Sequence, residues 1–189
     1  MSGSWQVGPP QSAEVTGPCD DWWAARHDQL TSAHPDLVVV LFGPWDLTDR
    51  RLDGATEFTH IGEPVYDQFL VGEMDALTAD LLASGAQVVW LTGPHLNALV
   101  GGVEPENPFP ESDPARVDAY NAMIRALPAR HGGRVSLVDV GTWFDGLPGG
   151  ELDVDERPDG VHLTEAAAVD LAYEYLGNRL VGVYRNSAD

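Results

Sequence analysis

Cysteine is nearly missing from this chain. Cys19 stands alone, which excludes an internal disulfide and any cysteine-based metal cluster. Positive charge is scarce as well: 10 Lys and Arg face 30 Asp and Glu, a formal net charge of −20. Such a surface repels phosphate backbones and anionic lipid, so neither nucleic acid nor a membrane surface is an expected partner. Long apolar runs are lacking too. The longest, Leu37 to Phe42, is far too short to cross a bilayer. Met1-Ser2-Gly3-Ser4-Trp5 offers neither the basic start nor the apolar stretch of a signal peptide, so the polypeptide reads as soluble and its compartment stays open.

What is present is enough chain for a core: 189 residues, 43% of them hydrophobic, read as one domain over 1–189 with a poorly defined leader at 1–18 and a core at 19–183. The leader is rich in Gly, Pro and Ser, with Ala13–Thr16 a short strand at best. Asp20 and Asp21 precede a helical stretch from Trp22 to Leu30 that Pro35 ends. Leu37–Phe42 is short, continuous and β-branched, the pattern of a strand buried on both faces. After a loop from Gly43 to Glu63, Val65, Phe69, Met74, Leu77 and Leu81 recur at helical spacing, and Gly85 supplies a stop.

A second buried strand follows at Ala86–Leu91, then a proline-bearing loop from Thr92 to Ser112. Asp113-Pro114 opens a helix whose apolar face is Val117, Tyr120, Ile124 and Leu127. Val135–Val140 gives a third strand. A last helix begins at Thr164 as N-cap with Glu165 in its first turn, its inner face being Ala168, Leu171, Ala172, Tyr175, Leu176 and Leu180. Strands alternating with helices predict a parallel sheet covered on both faces, with ligands gathering at the carboxyl ends of its strands.

Two strand-end segments carry candidate chemistry. Asp159-Gly160-Val161-His162 places a carboxylate three residues before an imidazole in a Pro/Gly turn. Folded back, the carboxylate accepts from one ring nitrogen and leaves the other free as a base; Asp and Gly are also ordinary turn residues. Gly43-Pro44-Trp45-Asp46 follows the first clear strand, either as an oxyanion or substrate wall or as a tight turn with a packed aromatic. His95 lies at the next strand end, lining a pocket or solvated in its loop. Asp153, Asp155 and Asp159 miss the spacing of a calcium loop, and the scattered histidines give no zinc pattern.

These segments resemble known ones. Asp159–Thr164 is similar to the last sequence block of SGNH (GDSL-type) hydrolases, and Gly43–Asp46 occupies the place of their third block. Together with Cys19–Trp23, Pro35–Val40 and Leu47–Arg50, they look like the SGNH domain appended to bacterial membrane O-acyltransferases, over about Cys19 to Leu180. The resemblance implies a three-layer α/β/α, flavodoxin-like fold with a five-stranded parallel sheet. It implies ester hydrolysis or acyl transfer on a carbohydrate or other small acyl ester, without metal or cofactor. It assigns His162 as general base, Asp159 as its orienter, Gly43 beside the oxyanion, and Trp45 and Asp46 to the pocket.

The chain departs from the family pattern at three places. The opening Gly-Asp-Ser block has no counterpart: Gly3-Ser4-Trp5 lacks the Asp and a preceding strand, and Ser12, Ser32, Ser84, Ser112 and Ser136 follow no buried strand in the right place. The nucleophile is therefore unassigned. Trp45 stands where many members carry an oxyanion Asn, and the second-block glycine (Gly8 or Gly17) stays unplaced. The absent block includes an inner strand. Leaving its neighbours unpaired costs about 1–3 kcal/mol per buried group, against a typical domain stability of about 5–15 kcal/mol. The expectation is a late reading frame or a fragment with little or no turnover, or else that residues 4–16 fill the gap as a substitute strand. The other reading is a non-catalytic carbohydrate-binding or scaffolding module in which Trp45, His95, Trp143 and Phe144 stack on sugars.

Overall fold

A computed structural model describes residues 5–7, 14–15, 25, 28–30, 32–41 and 43–186. Two sheets organise them. The N-terminal strands β1 (Trp5–Val7) and β2 (Glu14–Val15) pair antiparallel, and β1 also pairs antiparallel with β4 (Arg50–Arg51). The second sheet is parallel, in the order β3 (Leu37–Val40), β5 (Gln87–Leu91), β6 (Val135–Val138). Helices cross over between its strands: α1 (Pro64–Ala83) between β3 and β5, and α2 (Pro114–Arg130) between β5 and β6. After β6 come α3 (Gly141–Asp145), α4 (Glu165–Asp170), a π-helical turn (Leu171–Leu176) and α5 (Gly177–Asn186).

The period-2 alternation of the strands explains the layers. Val88 and Trp90 of β5, with Val135 of β6, point to one face and pack with Leu70, Met74 and Leu81 of α1 and Val117, Ile124 and Leu127 of α2. Val89, Leu91 and Val138 point to the other and meet Phe144, with Leu171, Tyr175, Leu176, Leu180 and Val183 against them. This is the expected three-layer α/β/α arrangement around a parallel sheet. The helix starts follow local chemistry. The Asp113 carboxylate accepts from the Ala115 N–H at 2.9 Å, and the Thr164 hydroxyl accepts from the Ala167 N–H at 3.2 Å. Gly85, at φ +90°, adopts the left-handed conformation that ends α1.

Several expectations need correction. Among the described residues the parallel sheet has three strands, where the family resemblance implied five. The strands at 5–7 and 14–15 build the small antiparallel sheet and do not pair with β3 as a substitute strand. The Gly43–Glu63 loop contains a 3₁₀ turn (Pro44–Leu47) as well as β4. Val65 is exposed, and Tyr66 and Leu70 take the inner face of α1 instead. In the last helix Ala167 is buried while Ala168 and Ala172 are exposed, and the inner face continues through Leu171, Tyr175, Leu176 and Leu180 across a π-helical turn. The expected helix from Trp22 to Leu30 lies mostly outside the described residues; 28–30 and 32–33 are helical.

Among the described residues β3 is an edge of the parallel sheet. Beside it runs an apolar groove of about 410 Å³, lined by Val38–Leu41 and by Leu70, Met74, Leu77 and Leu81. Val39 is 39% exposed and Leu41 72%. A flat apolar edge is a template for chain–chain pairing, and an edge lysine blunts it. Val39→Lys is expected to leave the melting temperature nearly unchanged and to reduce light scattering in concentrated samples. Equal scattering from both proteins would show that self-association uses another surface.

Candidate active site

The carboxyl ends of β3, β5 and β6 place three segments on one rim: Gly43–Leu47, Thr92–Leu99 and Asp139–Gly141. The turn from Arg157 to His162 joins them. The Gly160 N–H closes the turn on the Arg157 carbonyl at 2.8 Å, with Gly160 at φ +73°. Within it the Asp159 carboxylate is divided between two tasks. Oδ1 accepts from the backbone N–H groups of Val161 (2.9 Å) and His162 (2.7 Å), and Oδ2 faces Nδ1 of His162 at 2.7 Å. Burial raises the Asp159 carboxyl, but the His162 side chain and the two N–H groups outweigh it and hold the carboxyl at about 2. A depressed folded value means that the pair supports the fold above the unfolded carboxylate range and that this support is lost as pH falls toward 2.

His162 is 82% exposed at its side chain, and among the described residues no hydrogen bond reaches its Nε2. With Nδ1 donating to the carboxylate, Nε2 is left as a proton acceptor. The turn is fastened to the loop after β5: the Asn97 N–H donates to the Gly160 carbonyl at 3.1 Å and the Leu99 N–H to the Asp159 carbonyl at 2.9 Å. That loop is itself fixed to α2, since the Asn121 amide accepts from the Gly93 N–H at 3.0 Å and donates to the Gly93 carbonyl at 2.9 Å.

Gly43, Trp45 and Asp46 sit on the same rim without a direct hydrogen bond to Asp159 or His162. The Pro44–Leu47 turn packs on the Pro110–Ser112 turn, and the Ser112 hydroxyl accepts from the Ala98 N–H at 3.1 Å, between the two residues that hold the His162 turn. Trp45 is 56% exposed and open to a ligand. The Asp46 carboxylate is engaged inside the protein: Arg50 donates to Oδ1 and the Tyr120 hydroxyl to Oδ2, both at 3.0 Å, while the Tyr66 hydroxyl donates to the Asp46 carbonyl at 2.9 Å. Burial, with the Asp46 charge beside it, raises Tyr120 well above the usual phenol range, so it remains a donor.

His95 is neither free nor solvated. Its Nδ1 faces Glu151 Oε1 at 2.5 Å and its Nε2 faces Asp118 Oδ1 at 3.2 Å. Burial lowers His95, but these two carboxylates outweigh it and raise the imidazole above its ordinary value. The raised value means that this clamp is complete below the unfolded histidine range and is lost as pH rises through the folded value. Phe144 is buried and Trp143 half-buried in the hydrophobic layer with Val89, Leu91 and Val138, which leaves Trp45 as the exposed member of the four proposed stacking residues. Among the described residues no three His, Cys, Asp or Glu side chains converge as a metal-ligand group, and no helix is long and apolar enough to cross a membrane.

The fold is thus a parallel α/β sandwich with a carboxylate–imidazole pair at its strand ends. The family model described as GDSL-like lipase/acylhydrolase matches residues 11–168, and the chain belongs to that family. No curated protein sequence matches the chain. Among solved structures it is similar to a peptidoglycan O-acetylesterase at TM-score 0.58 and 16% identity, over 90% of this chain and 45% of that one. It is also similar to an acetyl xylan esterase (TM-score 0.47, 19% identity, 91% of this chain and 76% of the other). A third is an α/β hydrolase enzyme from the metagenome of Lake Arreo, Spain (0.47, 21%, 85% and 67%). The chain thus spans under half the length of the first of these.

Proposed function

We propose that this chain is an esterase domain acting on O-acyl groups of carbohydrates, with His162 as general base and Asp159 as its orienter. The observation that carries the reading is the 2.7 Å contact between Asp159 Oδ2 and His162 Nδ1, on a carboxylate whose other oxygen is held by two backbone N–H groups. Nε2 takes the proton of an attacking hydroxyl, whose oxygen adds to the acyl carbonyl. Collapse of the tetrahedral oxyanion then expels the sugar alcohol, which recovers the proton from His162. The backbone near Gly43 is the proposed oxyanion site. The attacking hydroxyl is unassigned among the described residues, so water is the acceptor that the pair itself can activate. The fold shared with a peptidoglycan O-acetylesterase supports acetyl on a sugar as the ester class. Transfer to a second sugar hydroxyl is the alternative fate of the same acyl group, as in the acyltransferase-linked domains.

Turnover of p-nitrophenyl acetate and of acetylated oligosaccharide is expected to be slow. His162→Ala should bring it to the buffer rate, since general base catalysis contributes about 10²–10⁴-fold. With its carboxyl held at about 2, Asp159 stays ionised across the working range and keeps its contact with Nδ1 there. Unchanged turnover in His162→Ala overturns the assignment. The exposure of Trp45 favours a second reading, a carbohydrate-binding module. Sugar binding that is lost in Trp45→Ala, in a chain without any turnover, would establish it.

A further inference from the structure

Arg157 is the largest fully buried side chain described, at 0% exposure, yet its described hydrogen bonds all go to main-chain carbonyls; among the described residues no carboxylate pairs with it directly, and Glu151 and Asp159 act on it only at longer range. Nη1 donates to the carbonyls of His95 (2.8 Å) and Glu151 (2.5 Å). Nε and Nη2 both donate to the Val161 carbonyl at 3.4 Å, and the guanidinium rests over the Phe144 ring, 5.3 Å from its centroid. A buried cation without a paired carboxylate is costly to hold, and a neutral side chain of similar volume would fill the space more cheaply. Its hydrogen bonds show what it organises.

The peptide between Val161 and His162 is gripped at both ends. Its C=O accepts from Arg157 and its N–H donates to Asp159 Oδ1. A peptide group is planar, so fixing both ends fixes its rotation and hence the position of the His162 Cα from which the side chain leaves the backbone, while the Asp159–Nδ1 contact fixes the ring. Through Nη1 the same guanidinium fastens that peptide to His95 on the sheet rim and to Glu151 in the loop that leads into the turn. We infer that Arg157 is a positioning residue for His162: it sets the Val161–His162 peptide plane so that Asp159 holds Nδ1 and Nε2 faces the rim. The inference rests on the reading of His162 as the base, although its principal measurement does not need turnover.

The planar fork spans three carbonyls in different directions, which an ammonium on a single-atom tip cannot do at once. Arg157→Met fills the volume and removes all of these bonds; Arg157→Lys keeps the cation and some of them. Ring ¹⁵N shifts of His162 are expected to show one tautomer, protonated at Nδ1, in the wild type. Arg157→Met should give a mixture of tautomers and about a tenfold or larger loss of any esterase rate, with the acid limb of the pH profile displaced. Arg157→Lys should fall between the two. A wild-type tautomer and rate in folded Arg157→Met overturn the inference and leave the base assignment intact. If His162→Ala keeps full activity, the base assignment fails, and the tautomer shift still decides whether Arg157 orients the ring. If neither Arg157 variant folds, Arg157 belongs to the fold alone and the inference is overturned as well.

Discussion

Gly160→Ala is expected to lower the melting temperature by about 6–12 °C, whereas Gly54→Ala should lower it by only a few degrees. Both glycines have left-handed backbone, at φ +73° and +75°, so both variants carry the same strain of about 1–2 kcal/mol. They differ in surroundings. A Cβ on Gly54 meets nothing within 4 Å, while one on Gly160 would overlap the Asn97 carbonyl, which is backbone and cannot swing aside. Separating the turn from the 97–99 loop also breaks the Asn97–Gly160 and Leu99–Asp159 hydrogen bonds. The total of about 3 kcal/mol converts to that shift at about 2–4 °C per kcal/mol for a chain of this size. Melts followed by circular dichroism would compare the pair. Equal losses in the two variants would mean that the turn can lift off the 97–99 loop without penalty.

Asp46→Ala is expected to destabilise the protein by about 2–4 kcal/mol without a selective rise in KM. The carboxylate stands between Arg50, only 3% exposed at its side chain, and the buried Tyr120 hydroxyl. Removing one member of a buried charge pair leaves the other in a poorly solvated place, a loss of about 3–5 kcal/mol when burial is complete. The 22% exposure of the Asp46 side chain reduces that figure. Asp46→Asn keeps an acceptor for Arg50 and should lose less. Denaturant midpoints measured with KM for acetylated oligosaccharide separate the two roles: a raised KM with an unchanged midpoint would return Asp46 to the substrate.

Patterns within one element were legible in the sequence. Helical spacing located Val117, Tyr120, Ile124 and Leu127, all of which are buried, and short apolar runs located three parallel strands. The Asp159–His162 contact was legible because its partners lie three residues apart in a turn. Tyr120 was read as an apolar-face residue, but its hydroxyl reaches Asp46 across 74 residues; His95 meets Glu151 across 56. No local period encodes such pairings. The burial of Arg157 was hidden for the same reason, since a single arginine beside a proline reads as surface until the loops that enclose it are placed. The strand at Trp5–Val7 lay in a Gly/Pro/Ser-rich stretch and took its form from a partner at Arg50–Arg51.

The fastening of the His162 turn to the loop after β5 separates two kinds of integrity. The contact between carboxylate and imidazole is local and can persist in a detached turn. Its placement relative to the sheet depends on two backbone hydrogen bonds, from Asn97 and Leu99, and on Arg157, whose reach to His95 spans 62 residues. Those few links can open while the hydrophobic layers stay closed, so the turn behaves as a small cooperative unit of its own. On warming, His162 would lose its address before the protein loses its fold, and amide protons at 97 and 99 would exchange with solvent ahead of those in β5.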